Sequence, residues 1–194
     1  MKKQNVVFTK FNYPNEVCSV TLNNIGQHPE LMSKIPVIID SFTPKSELFI
    51  GSYKRDGFLL TDAQIEQFSI DIPKYFKKFG EVKQMDLIDR QSNPNKLVGG
   101  LYVFRAPVSE KTYHTLNKVF MYFLETIVFS PKINWNTFVD SYREYTKYGT
   151  RNYIQKGYAD FMFSFVDSGD FTISFKEETM KAQLVTEKIQ ELLF

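Results

Sequence analysis

The chain has 194 residues, 43% of them hydrophobic and 24% charged, so apolar burial can offset chain entropy and disorder is not expected. Its 24 basic and 22 acidic residues leave a net charge of only +2, without the basic excess that gives a non-specific nucleic-acid binder most of its affinity. A single cysteine, Cys18, excludes an internal disulfide and fits a reducing, cytoplasmic setting, and the apolar-rich Val119–Phe129 stretch is too short and interrupted to span a bilayer.

Val6–Phe11 and Val17–Leu22 read as strands joined by the turn-rich Asn12–Glu16. Asn23–Lys34, with Gly26 and Pro29, reads as a loop or short helix, and Pro36–Ile39 as the start of a buried strand. Glu47–Tyr53 is expected to form a hairpin with Phe58–Leu60, because Asp56-Gly57 supplies the positive φ of a tight reversal. Thr61 opens a helix with the capping box Thr61-x-x-Gln64, Pro73 interrupts it, and Gly80 ends it.

Val82–Ile88 and Val98–Phe104 form the next pair of expected strands, around the polar turn Gln91–Asn95. Beyond Pro107 and Ser109, the apolar spacing of Leu116, Val119, Phe120, Phe123, Leu124 and Ile127 predicts a broadly buried helix. Thr137–Tyr148 predicts another helix, ended by Gly149. Phe161, Phe163 and Phe165 alternate, Asp167–Asp170 turns, and Phe171, Ile173 and Phe175 return. A last helix is expected over Lys176–Leu193.

The expected fold class is therefore α+β, an antiparallel sheet of hairpin–helix (ββα) units with helices mainly on one face. The chain reads as one domain, 1–194, and the neighbourhood of Pro131 is the reasonable place to divide it, into 1–131 and 132–194.

Chemistry-bearing patterns are sparse. His28 and His114 stand far apart without metal-ligand spacing, and Cys18 has no base that the sequence can place beside it. Asp86, Asp89, Asp167 and Asp170 sit at strand ends, where two-metal sites hold carboxylates. Asp-Ser-Gly-Asp is also the ordinary chemistry of a turn, which is the better reading. No catalytic residue, metal or cofactor is expected.

Three segments do carry a family likeness. Leu48-Phe49-Ile50-Gly51-Ser52, Tyr75-Phe76-Lys77-Lys78-Phe79-Gly80-Glu81-Val82 and Gly99-Gly100-Leu101-Tyr102-Val103-Phe104 resemble the first-strand motif, the first-helix exit and the third-strand motif of the RNA recognition motif (RRM) family. The resemblance covers residues 48–118 and implies an RRM/ferredoxin-like middle region. It implies that Phe49 and Tyr102 stack the bases of a single-stranded nucleic acid, with Lys54, Arg55, Lys96 and Arg105 beside them. Gly100 stands where the family commonly has a second aromatic, and a fainter echo follows Tyr142–Gly149.

A second reading comes from the segment rich in tyrosine and arginine. Tyr142, Arg143, Tyr145, Tyr148, Arg151 and Tyr153 are of the types that dominate interface hot spots, as in a toxin-immunity or defence-related inhibitor protein. Either reading makes the chain a non-catalytic binding protein, with single-stranded nucleic acid or a protein as partner and no membrane association.

Overall fold

Period-two alternation of bulky apolar residues gives each strand an apolar face, and such faces are buried by building a sheet and covering it. The computed structural model of the protein describes residues 8–13, 17–43, 47–55, 74, 77, 81–88, 97–112, 114, 125–142, 151–166 and 169–194. The strands are β1 (Phe8–Tyr13), β2 (Val17–Leu22), β3 (Glu47–Arg55), β4 (Glu81–Ile88), β5 (Leu97–Pro107), β6 (Glu125–Pro131), β7 (Ala159–Val166) and β8 (Phe171–Lys176). They form one eight-stranded sheet in the order β1-β2-β8-β7-β6-β3-β5-β4. Every pairing is antiparallel. The described helices are α1 (Pro29–Met32), α2 (Ile35–Phe42), α3 (Trp135–Tyr142), α4 (Arg151–Gln155) and α5 (Ala182–Leu193). The protein is thus mixed α and β around an antiparallel sheet.

Pro36–Ile39 is helical, not a strand. Ile35, Ile38, Ile39 and Phe42 are buried while Val37 and Asp40 are exposed, the three- and four-residue spacing of a helix stripe. Pro36 lies in the first turn of α2, where its missing N–H costs no helix bond. The hairpin expected from Glu47 to Leu60 is also corrected. β3 pairs with β5 along one edge and β6 along the other, so it has no edge left for a return strand. Phe58–Leu60 itself, the helix of residues 61–80 apart from helical Lys74 and Lys77, and the turn of residues 91–95 lie outside the described residues.

The helix beginning at Glu110 is capped by Ser109, whose Oγ accepts from the Thr112 N–H at 3.2 Å. Its expected stripe reaches too far, because Ile127 stands in β6. A continuous apolar run suits a strand buried on both faces as well as a helix, and spacing alone does not separate the two. α5 starts at Ala182, since Lys176 still pairs with Val17 as the last residue of β8.

Two apolar layers enclose the sheet. On the first face Cys18, Val20, Leu22, Leu48, Ile50, Phe104, Val128, Phe163, Ile173 and Phe175 pack beneath α1, α2 and α5. On the second, Val17, Phe49, Val103 and Met162 pack beneath α3 and α4. Among the described helices, α1, α2 and α5 lie on the first face and α3 and α4 on the second. α2 and α5 run antiparallel and cap each other: the Lys34 ammonium donates to the Leu193 carbonyl at 2.5 Å, and that of Lys188 to the Ser41 carbonyl. Lys188 also lies 4.4 Å from the Phe42 ring centroid.

The two ends of the chain meet in the sheet, β2 against β8. The contact continues at their loops, where Gly26 N–H donates to the Gly169 carbonyl at 2.8 Å. A Cβ at Gly26 would stand 2.7 Å from the Gly169 Cα, so only glycine permits that approach. Asp170 is used here too: its carboxylate accepts from the Asn24 N–H at 2.8 Å, locking the turn to the left-handed residue Asn24.

Candidate binding face of the sheet

The second face is where an RRM-type sheet would meet nucleic acid, and it is built from α3, α4 and the strands below them. Asn134 starts α3 by accepting the Thr137 N–H at 3.0 Å. Trp135, Phe138 and Val139 then share one side of the helix and are buried. α4 ends on Gly157, at φ +71°, in paired bonds from Gly157 N–H to the Ile154 carbonyl and from Tyr158 N–H to the Tyr153 carbonyl. The Tyr158 carbonyl in turn accepts from the Lys132 N–H at 2.9 Å, which fastens the end of α4 beside the end of β6.

Phe49 lies beneath this cover, 1% exposed. Its ring centroid is 5.3 Å from that of Trp135 in an edge-on arrangement and 5.0 Å from that of Phe138. The contact a base would make is made by the protein's own rings. Phe49 is therefore not an exposed stacking residue.

Tyr102 does not share a platform with it. Phe49 pairs with Arg105, whereas Tyr102 pairs with Ser52 and Gln84. Positions an odd number apart on one strand fall on opposite faces, so Tyr102 and Arg105 belong to different sides of β5. The motif-like spacing of residues 48–52 and 99–104 holds in sequence but does not bring the two aromatic positions together.

Arg105 is exposed at the rim, where its Nε donates to Glu47 Oε2 at 2.6 Å and a second nitrogen reaches Oε1 at 3.4 Å. That carboxylate competes with any phosphate for the guanidinium. Lys54 and Arg55 end β3 opposite Gly100 and Gly99 of β5, and on the other side of those glycines stand Asp86 and Leu87 of β4. Lys96 lies outside the described residues.

Of the residues rich in tyrosine and arginine, Tyr153 is only 5% exposed. Its ring meets Phe138 and Tyr158 edge-on, and its hydroxyl and the Ser141 Oγ are 2.9 Å apart. It is a packing residue that joins α4 to α3, which corrects its assignment to an interface. Tyr142 ends α3 and Arg151 begins α4, while Arg143, Tyr145 and Tyr148 lie outside the described residues.

Two features of this face carry no motif. Trp135 Nε1 is buried with no acceptor among the described residues. Beyond the aromatic cluster, hydroxyls pair across β2 and β8: Ser19 Oγ to Ser174 Oγ at 2.8 Å, and Thr21 Oγ1 to Thr172 Oγ1 at 2.9 Å. The spacing of Trp135, Phe138 and Val139 was available in the sequence, but a helix start at Thr137 left Trp135 outside it. Ser19 and Ser174 are buried polar pairs 155 residues apart, and only the register of β2 on β8 brings them together.

Burial raises the thiol of Cys18 above its ordinary pKa, with nearby Glu177 acting in the same direction and Lys181 opposing. Such a thiol is a poor nucleophile at neutral pH. Asp89 and Asp167 lie outside the described residues, and among those described no group of three or more His, Cys, Asp or Glu side chains could hold a metal ion. No helix of the described residues is long and apolar enough to cross a membrane. No protein-family model, curated protein or solved structure matches the chain.

Proposed function

We propose that this chain is a non-catalytic binding protein whose partner is another protein, in the manner of an immunity or inhibitor protein. The observation that carries this reading is the cover over Phe49. An RRM-type sheet binds nucleic acid by leaving aromatics of its open face bare. Here Trp135 and Phe138 of α3 occupy that position. The small net charge, +2, points the same way, because it leaves little counterion release to drive association with phosphates. Val37, Leu184 and Phe194 add exposed apolar surface on the helical layer, the kind of surface that proteins use to meet proteins.

The proposal includes an RRM/ferredoxin-like organisation of the middle region. Supporting it are the chain order β3, helical Lys74 and Lys77, β4, β5, the helix from Glu110, and β6, together with the strand order β6-β3-β5-β4. That is the split βαβ pattern. The outer half repeats the strand pattern as β1-β2-β8-β7, with β1 in the place of the fourth strand and the middle region inserted between α2 and β7. In this reading the two halves share one scaffold, and the segment joining β6 to β7 covers the face that an isolated unit would use.

Fluorescence anisotropy with labelled oligo(U) and oligo(dT) at low and high salt tests the choice of partner. The expected result is no salt-sensitive binding, with the purified protein showing a protein-like 260/280 nm ratio. A single stoichiometric protein retained through size exclusion supports the proposal. Tight oligonucleotide binding that weakens with salt, and that Lys54→Glu with Arg55→Glu abolishes, overturns it in favour of nucleic acid.

A further inference from the structure

The sheet has two edges, and they are guarded differently. β4 carries Glu81, Lys83 and Asp86, and its register on β5 shifts between Leu87 and Ile88. Charges and irregularity are how natural sheets prevent further strands from adding. β1 has one charge, Lys10, and pairs with β2 without a break from Phe8↔Leu22 to Tyr13↔Val17. Its outer edge has no strand partner among the described residues. We infer that β1 pairs with β1 of a second copy, in a twofold antiparallel arrangement that joins two eight-stranded sheets edge to edge.

The sequence of β1 selects both the occupant and the register. A twofold axis between antiparallel neighbours stands perpendicular to the sheet and leaves each face on its own side. Directly opposed residues must share a face, so position numbers of an opposed pair have the same parity. Two registers then pair most of the strand, one centred on Lys10 and one on Phe11. Centring on Lys10 sets like charges against each other, which is unfavourable. Centring on Phe11 sets Phe11 against Phe11, Thr9 against Tyr13 and Lys10 against Asn12. Aromatic and β-branched pairs of that kind favour strand pairing, and the charge meets a neutral amide. β1 is thus complementary to itself in one register.

This inference stands apart from the protein-partner reading, since a homodimer and a second protein can use different surfaces. Sedimentation velocity of the full chain over a concentration series tests it, beside Asn12→Lys, Asn12→Glu and the swap Lys10→Glu with Asn12→Lys. The wild type is expected to form a concentration-dependent dimer. Asn12→Lys opposes two lysines at both symmetry-related positions and shifts dissociation tenfold or more toward monomer. Asn12→Glu tightens the dimer, and the swap restores it, with circular dichroism showing that each variant is folded. A wild type that is monomeric at every concentration overturns the inference. So does a dimer that Asn12→Glu and the swap leave unchanged, which remains decisive even if Asn12→Lys fails to fold. A monomer here leaves the protein-partner reading intact, whereas oligonucleotide binding by a dimer removes that reading alone.

Discussion

The two faces of the sheet bury comparable aromatic rings under very different covers. On the first, the rings of Phe175, Phe161, Phe163 and Phe171 meet in a row across β7 and β8, and α2 and α5 close over them with lysines capping each other's helix ends. On the second, short α3 and α4 cover Phe49 with a cluster of Trp135, Phe138 and Tyr153, and β2 and β8, farther along the sheet, carry paired hydroxyls. The buried cluster of the first face is apolar. The other mixes aromatic and polar groups, and a buried polar group without a partner there costs free energy. A surface that looks like a binding platform in sequence can therefore be closed by a helix from elsewhere in the same chain.

The largest effect that separates the faces is expected from truncating a ring. Phe163→Ala leaves a cavity at a fully buried site and should cost about 3–5 kcal/mol in urea unfolding. Phe49→Ala should fall near the low end of that range, and it alone should change the fluorescence of Trp135, the chain's one tryptophan. If both variants alter the emission equally, the two layers are coupled rather than independent.

The hydroxyl pair comes next. Ser19→Ala leaves the Ser174 hydroxyl buried without its partner and should cost about 1–3 kcal/mol, with Ser174→Ala similar. The double variant should cost less than the two together, and a double-mutant cycle with no coupling would show that the hydroxyls act separately. On the first face Lys188→Met keeps the aliphatic stem and removes the charge over Phe42, for a loss of about 0.5–2 kcal/mol that added salt should diminish. The smallest effect is expected from Trp135→Phe. It removes a buried N–H that has no acceptor among the described residues at the expense of some ring contact, so the melting midpoint should move by less than the equivalent of about 1 kcal/mol.

What the sequence alone determined is local. Val17–Leu22 is a strand over the expected residues, and Phe161–Phe165 with Phe171–Phe175 forms the expected hairpin, because alternation and a glycine-containing turn define such units within a few neighbouring residues. A helix after Ser109 and a closing helix ending at Leu193 were legible for the same reason. Pro36–Ile39 misleads because four apolar residues fit a strand and a helix equally, and the deciding contacts of Ile35 and Phe42 lie just outside that run. The candidate site was less legible than the fold. Phe49 and Tyr102 occupy motif-like spacings, but the face each position takes depends on strand register, and the exposure of Phe49 depends on a helix more than eighty residues away. Hairpins are written in adjacent residues; that β3 sits between β5 and β6, that β2 closes on β8, and that α3 seals one face are choices among distant partners, made only when the whole sheet is buried at once.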